Sequence, residues 1–139
     1  MAQHVRDIMT GTPVSVETGA LLTDVARLMR DEDIGIVLVT EQEHLRGLVS
    51  DRDLVVRGLA EGTDPEQMTV ADLCSEELVT VTPDEDLDRA VALMREHSVR
   101  RLPVVDGDEP VGVISLGDLA IERDRKSALG DISAERPNT

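Results

Sequence analysis

The spacing of apolar residues along the chain changes from a strand pattern to a helix pattern, and this change occurs twice. Residues 13–16 and 78–81 alternate apolar and polar side chains, which predicts a short strand in each segment. Apolar residues three or four positions apart follow, which predicts an amphipathic helix after each strand. These are Leu22, Val25, Ala26 and Met29 in the first segment and Leu87, Ala90, Val91 and Met94 in the second. For the second helix, Thr82, Pro83 and Glu85 predict an N-cap, a first turn and a capping box.

Two strands and a closing helix complete each segment. The strands are predicted over residues 36–40 and 46–49, and again over 102–105 and 111–114. Asp106 and Gly107 predict the turn between the second pair of strands. The closing helices are predicted over residues 51–59 and 116–125. This order predicts a mixed α/β protein of the α+β class, made of two tandem β-α-β-β-α repeats.

A constant offset of 65 residues relates the two segments, as in the difference between 118 and 53. Leu28-Met29-Arg30 recurs as Leu93-Met94-Arg95, and Asp53 recurs as Asp118. The agreement runs without a gap over about 50 positions, which is hard to obtain by chance. We therefore predict repeats over residues 1–61 and 70–126, a polar linker over 62–69 and a C-terminal tail over 127–139.

Composition limits the core and the partners. The chain of 139 residues has no Phe, Tyr or Trp, so Val, Leu, Ile, Met and Ala must form the core. We expect two such small repeats to pack together. The formal net charge of −15 excludes nucleic acid as an expected partner. No apolar run approaches a membrane span or a signal-peptide core, so no membrane partner is expected. The single cysteine, Cys74, excludes an internal disulfide and favours the cytoplasm.

The candidate chemistry lies at the end of each repeat, in residues 47–53 and 112–118. There an apolar strand leads to Ser50 and Ser115, and a carboxylate follows three positions later at Asp53 and Asp118. One interpretation is a capping box that stabilises the start of a helix. The other is a ligand site, because helix N-termini favour phosphate and a carboxylate can accept hydrogen bonds from ribose hydroxyls. The two roles are compatible in one motif.

The chain resembles the CBS-domain family (cystathionine beta-synthase domains) in the paired arrangement called a Bateman module. The resemblance covers residues 5–125 and rests on the element order and the two Gly-h-h-Ser-x-x-Asp segments, where h is apolar. Two further segments add to it, residues 7–10 ahead of 12–14 and residues 99–105. It implies repeats packed with pseudo-twofold symmetry and two clefts between them that commonly bind adenine nucleotides.

The resemblance also implies roles for individual residues in those clefts. Asp53 and Asp118 would hold ribose hydroxyls, with Ser50 and Ser115 supporting ribose or phosphate. The residues that would line adenine slots are Thr12, Ile34, Gly35 and Ile36, with Val79 and Val99 in the other cleft. The expected pairings are Thr12 and Ile36 with Asp118, and Val79 and Val99 with Asp53. Arg52 and Arg101 are the phosphate candidates, although Arg101 could equally be a solvated charge at a strand end.

Mismatches between the repeats predict that the two clefts bind unequally. Arg52 is matched by Gly117, and Thr12 is matched by Glu77, which would repel a phosphate. The cleft that contains Asp118 and Thr12 is favoured for adenine and ribose, whereas the Asp53 cleft is richer in arginine.

No catalytic or metal-binding pattern accompanies these motifs. The three histidines lack ligand-spaced partners, and the Arg52 side chain between Asp51 and Asp53 argues against a cation site. Cys74 aligns with Met9 and is interpreted as a small apolar residue. We therefore expect no enzyme activity, no required cofactor and no metal site.

The expected function is that of a stand-alone regulatory module that binds an adenine nucleotide such as AMP, ADP or ATP and acts on an unidentified protein. The alternative is a structural or protein-interaction module with degenerate, empty clefts, which Gly117 and Glu77 favour. By resemblance a homodimer is expected. Its proposed interface residues are Leu54, Val55, Leu119 and Ile121.

Overall fold

The computed structural model describes residues 4–11, 13–62, 64–74 and 78–123, and only the backbone of Arg123. The chain divides into two compact units. The first-repeat unit runs from Val14 to Leu78, and the second-repeat unit joins the start of the chain, up to Pro13, to the residues from Val79 onward. The predicted tail, residues 127–139, lies outside the described residues.

The first-repeat unit contains a three-stranded sheet and two helices. Its elements are β2 (Ser15–Glu17), α2 (Leu22–Glu32), β3 (Ile36–Glu41), β4 (His44–Ser50) and α3 (Asp51–Asp53). Within the sheet, β3 lies between β2 and β4; it is parallel to β2 and antiparallel to β4. A π-helical turn, Leu54–Gly58, and a 3₁₀ turn, Leu59–Glu61, continue α3, so the closing helix predicted here is irregular.

The second-repeat unit repeats the order from α2 onward and has a short addition from the start of the chain. Its elements are α1 (Val5–Ile8), β1 (Thr10–Gly11), α4 (Leu87–His97), β5 (Arg101–Asp106), β6 (Glu109–Ser115) and α5 (Leu116–Arg123). In its sheet, β6 lies between β1 and β5 and is antiparallel to both. The predicted α+β class is therefore confirmed, and both units share the helix-strand-strand-helix part of the predicted order. No helix in the described part of the chain is long and apolar enough to cross a membrane.

The segment that opens each repeat packs in the unit of the other repeat. The N–H of Val5 donates to the carbonyl of Glu85 at 2.9 Å, and the N–H of Val70 donates to that of Ala20 at 2.9 Å. Both valines are fully buried. The two bonds join equivalent residues at the 65-residue offset, so each repeat contributes its opening segment to the unit of the other in the same way. The compact units consequently have boundaries that differ from those of the sequence repeats.

The first predicted strand of the second repeat is reduced to an isolated bridge between Val81 and Val104. In the first repeat, the N–H of Leu38 donates to the carbonyl of Val14 at 2.9 Å and helps to hold β2. The residue that corresponds to Leu38 is Pro103, which has no N–H to donate. The strand therefore loses one of its ladder bonds.

Helix α4 begins at Leu87, with Asp86 as its N-cap residue, so the start predicted at Thr82 and Pro83 is wrong. The carbonyls of Pro83 and Glu85 instead accept hydrogen bonds from the N–H groups of Arg6 and Val5, at the start of the other repeat. Those tertiary bonds hold residues 83–86 as a turn. Because Leu22 corresponds to Leu87, the helices α2 and α4 start at equivalent positions.

Each unit has its own apolar core of aliphatic residues, as the composition predicts. The first-repeat core contains Leu22, Val25, Met29, Val37, Val39, Val49, Leu54, Val70 and Leu73. The second-repeat core contains Val5, Val81, Leu87, Ala90, Leu93, Met94, Leu102, Val104, Ile114 and Leu119. Leu54 and Leu119 are thus core residues, and their assignment to a dimer interface is wrong.

Candidate functional site

The first Ser–Asp pair forms a reciprocal cap at the start of α3. The N–H of Ser50 donates to Asp53 Oδ2 at 2.8 Å, and the N–H of Asp53 donates to Ser50 Oγ at 3.2 Å. The Ser50 hydroxyl also donates to Asp53 Oδ2, at 3.0 Å. Both residues are half-buried. The capping interpretation of this motif is therefore correct.

The second Ser–Asp pair forms the same cap at the start of α5. The N–H of Ser115 donates to Asp118 Oδ2 at 2.8 Å, and the N–H of Asp118 donates to Ser115 Oγ at 3.1 Å. In both caps the carboxylate uses Oδ2. A carboxylate offers about four acceptor positions on its two oxygens, so each cap leaves acceptor capacity at Oδ1. Capping and ligand binding can therefore share one side chain.

Residues 34–36 lie beside the first motif within the same unit. Ile36 is the register partner of Ser50 across the β3–β4 ladder, and the N–H of Asp51 donates to the carbonyl of Gly35 at 2.9 Å. Ile34 is half-buried and packs against the first-repeat core. We call residues 34–36 and 50–53 the first-repeat motif.

Residues 99–101 lie beside the second motif in the equivalent way. Arg101 is the register partner of Ser115, and the N–H of Leu116 donates to the carbonyl of Arg100 at 2.8 Å. Val79 and Val99 are half-buried against the second-repeat core. We call residues 99–101 and 115–118 the second-repeat motif.

The two arginines that are candidates for phosphate binding lie in different kinds of element, a helix and a strand. Arg52 is exposed and lies in the first turn after Ser50, and its N–H donates to Asp51 Oδ1 at 2.9 Å. Arg101 is exposed at the start of β5. Thr12 and Glu77 lie outside the described residues. The expected pairings across the repeats and the ligand roles of all these residues stay predictions.

Sequence reasoning missed Asp51 as a possible ligand contact and ranked Arg100 below Arg101 as a phosphate contact. Asp51 was considered only for a cation site, yet it bonds to the N–H of Arg52, and a Cβ atom at Gly35 would lie 3.2 Å from Asp51 Oδ2. Arg100 lies beside the second motif through its carbonyl. Aligning the repeats at the 65-residue offset pairs Asp51 with Leu116 and Gly35 with Arg100, and this alignment is the signal that points to Asp51.

Cys74 is half-buried against the first-repeat core. Burial and, after it, the negative charge of Asp53 raise the pKa of the Cys74 thiol, whereas Arg46 lowers it. A thiol that is kept protonated is a poor nucleophile, which fits the structural interpretation of this residue.

Comparison with known proteins identifies the family. A family model for the CBS domain matches residues 5–58 and 70–124. The chain belongs to the CBS-domain family. The suspected resemblance is thus confirmed, and pairs of CBS domains are commonly regulatory and bind nucleotides or other ligands.

The chain is similar to curated relatives of comparable length. The CBS domain-containing protein YhcV of Bacillus subtilis is 37% identical over 126 residues, which cover 91% of this chain and 89% of YhcV. Hypoxic response protein 1 of Mycobacterium tuberculosis is 34% identical over 116 residues, covering 83% of this chain and 81% of that protein.

Two solved structures share the fold. A crystal structure of Hypoxic Response Protein I with two coordinated zinc ions has a TM-score of 0.77 at 33% identity and covers 88% of this chain and 99% of that one. The CBS domain pair of protein MJ0100, in complex with 5-methylthioadenosine and S-adenosyl-L-methionine, has a TM-score of 0.79 at 20% identity and covers 89% and 98%. In the described part of this CBS protein, no group of three or more His, Cys, Asp or Glu side chains could hold a metal ion.

Proposed function

We propose that this CBS protein is a cytoplasmic regulatory module that binds an adenine nucleotide at its Ser–Asp motifs and passes the binding signal to a partner protein. The observation that carries the proposal is the duplicated cap, in which Asp53 and Asp118 bond to the serine through Oδ2. Each carboxylate keeps acceptor capacity for a vicinal pair of hydroxyls, which is the feature that distinguishes a ribose.

The neighbouring segments supply the other contacts that an adenosine needs. Gly35 and Ile36 offer backbone groups and an apolar side chain beside Ser50. In the second repeat Val99 has the position of Ile34 and packs against the second-repeat core. Arg52 and Arg101 are exposed, so their guanidinium groups can reach phosphate oxygens. No catalytic role is proposed, and the ligand acts as an effector and not as a substrate.

A panel of ligands tests this proposal by thermal shift. AMP, ADP, ATP, S-adenosylmethionine and NAD are each added to the purified protein up to millimolar concentration. A ligand present at about 100 times its dissociation constant stabilises the folded state by about 2.7 kcal/mol and raises the melting temperature. The absence of a shift with every ligand in the panel would contradict the proposal.

The competing function is a protein-interaction module whose motifs serve only as helix caps. Gly117 stands at the position of Arg52 and has no basic side chain, which favours this alternative. Under this alternative the panel gives no shift, and a stable complex with a partner protein forms equally well with and without nucleotide.

We further propose a homodimer. Three apolar side chains on the irregular helix that follows the first-repeat motif are exposed, namely Val55 at 56%, Val56 at 46% and Leu59 at 55%. An exposed group of apolar residues is a common feature of a subunit interface.

A further inference from the structure

The two motifs carry opposite net charge at equivalent positions. In the first-repeat motif the side chains of Asp51 and Asp53 outweigh the single charge of Arg52, which leaves a net charge of −1. In the second-repeat motif the side chains of Arg100 and Arg101 outweigh the charge of Asp118, which leaves a net charge of +1. The Ser–Asp pair is common to both motifs, so the charge difference comes from the residues around it.

Asp51 holds the negative charge of the first-repeat motif at a fixed place. Its Oδ1 accepts a hydrogen bond from the N–H of Arg52 at 2.9 Å, and its own N–H donates to the carbonyl of Gly35 at 2.9 Å. The carboxylate therefore lies against the backbone of Gly35, where a Cβ atom would be 3.2 Å from Oδ2. A ligand that uses Gly35 and Ile36 for its base meets this carboxylate.

The second-repeat motif replaces both members of that contact. Leu116 stands at the position of Asp51, has no carboxylate to bond the N–H of Gly117, and is 52% exposed. Arg100 stands at the position of Gly35. The glycine and the aspartate that touch in one unit have thus become an arginine and a leucine in the other, which reverses the charge beside the Ser–Asp pair.

We propose that Asp51 determines ligand specificity by charge. The first-repeat motif takes adenosine derivatives that carry no phosphate or that carry a positive charge. Together with Asp53, the fixed carboxylate of Asp51 outweighs the charge of Arg52, so the motif repels phosphate and accepts hydrogen bonds from amino groups. The second-repeat motif takes phosphorylated adenosine, because its arginines attract phosphate. This inference rests on the proposed function, since it assigns ligands to the same two motifs. It places each ligand within one motif, in place of the pairing of Ile36 with Asp118 and of Val99 with Asp53 that the resemblance implies.

Binding of AMP and adenosine to single-motif variants tests the inference. Asp118→Ala leaves the first-repeat motif intact, and Asp53→Ala leaves the second. Calorimetry should show that the Asp118→Ala protein binds adenosine at least as tightly as AMP, whereas the Asp53→Ala protein binds AMP roughly tenfold more tightly than adenosine, as expected for one or two unit charges near a phosphate in a partly exposed site.

Substitutions at position 51 then show whether this residue is the cause. In the Asp118→Ala background, Asp51→Asn and Asp51→Leu should each raise the ratio of AMP affinity to adenosine affinity roughly tenfold. The asparagine keeps the size and the capping oxygen of the aspartate, so it removes only the charge. Asp24→Asn is the matched control, because it removes an exposed carboxylate near the start of α2, at the other end of that helix from Gly35, and should leave the ratio unchanged.

The outcomes separate this inference from the proposed function. If AMP and adenosine both bind, but the ratio is the same for the two motifs and does not respond to position 51, the inference is wrong and the proposed function stands. If neither compound binds to the wild-type protein, the proposed function fails and the inference fails with it.

Discussion

Asp53 acts on the backbone at a helix start and on a nearby thiol. Its Oδ2 accepts hydrogen bonds from the N–H and the hydroxyl of Ser50, at 2.8 Å and 3.0 Å. The same carboxylate raises the pKa of the Cys74 thiol, after the larger effect of burial. The reactivity of this cysteine therefore reports on the charge at position 53.

We predict that Asp53→Asn accelerates the alkylation of Cys74 severalfold at pH 8. Removing the carboxylate lowers the pKa of the thiol, so a larger fraction is present as the reactive thiolate. Iodoacetamide labelling followed by mass spectrometry measures the rate, and Asp24→Asn should leave it unchanged. An equal rate for wild type and Asp53→Asn would show that the carboxylate does not act on the thiol.

The raised pKa of Cys74 also gives a direction for stability. The thiol binds its proton more tightly in the folded chain than in the unfolded chain. Its contribution to stability is therefore present below the ordinary pKa of a thiol and is lost as the pH rises through the raised value.

At the scale of the elements, the turns of the two β-hairpins lie at equivalent positions of the two repeats but have different residues. The turn between β3 and β4 places Gln42 and Glu43 at φ angles of 51° and 70°, in the left-handed region. In the turn between β5 and β6, the corresponding Gly107 has a φ of 65°, a conformation that glycine adopts without strain. The first hairpin therefore stores backbone strain at residues that are exposed.

We predict that the double substitution Gln42→Asn and Glu43→Gly raises the free energy of unfolding by about 1 kcal/mol, because Asn-Gly suits a two-residue hairpin turn. Gly107→Ala is the reciprocal control and should lower it by about 1 kcal/mol. Urea denaturation measures both changes. A destabilised double variant would mean that the native residues at 42 and 43 make contacts that outweigh the strain.

Local sequence patterns predicted the helices and strands better than the contacts between distant parts of the chain. The helices α2 and α4 and the two hairpins follow from local periodicity and turn residues, and the Ser–Asp caps follow from their spacing. The start of α4 does not, because the carbonyls of Pro83 and Glu85 accept bonds from a segment far away in the chain. The contact of Asp51 with Gly35 likewise depends on the packing of β3 beside β4.

At the scale of the whole molecule, the duplication gives two units that share a fold and differ in charge at equivalent sites. Under the proposed function, a substitution in one repeat can change its ligand preference while the other repeat keeps its own. Val55, Val56 and Leu59 form an exposed apolar group in the first-repeat unit. In the described part of α5, Leu116 is the one exposed large apolar residue, so the second-repeat unit has no equivalent group there. Oligomerisation should therefore depend on the first-repeat unit.

We predict that the protein sediments as a dimer at micromolar concentration and that Val55→Asp together with Leu59→Asp shifts it to the monomer, because a buried charge without a partner opposes association. Leu78→Asp, which places a charge on an apolar residue 37% exposed outside that segment, should remain dimeric. A wild-type monomer in analytical ultracentrifugation would contradict the proposed homodimer.

Calorimetric titration of AMP into variants of the two motif carboxylates tests the central claim most directly. Removing a capping carboxylate costs about 1 kcal/mol of stability, so Asp72→Ala serves as the control, since Asp72 caps Thr69 outside both motifs with hydrogen bonds of 3.4 Å. We expect Asp72→Ala to keep the wild-type affinity and the folded double variant Asp53→Ala with Asp118→Ala to give no binding heat. A folded double variant that binds AMP as tightly as the wild-type protein would contradict the assignment of the duplicated motif to nucleotide binding.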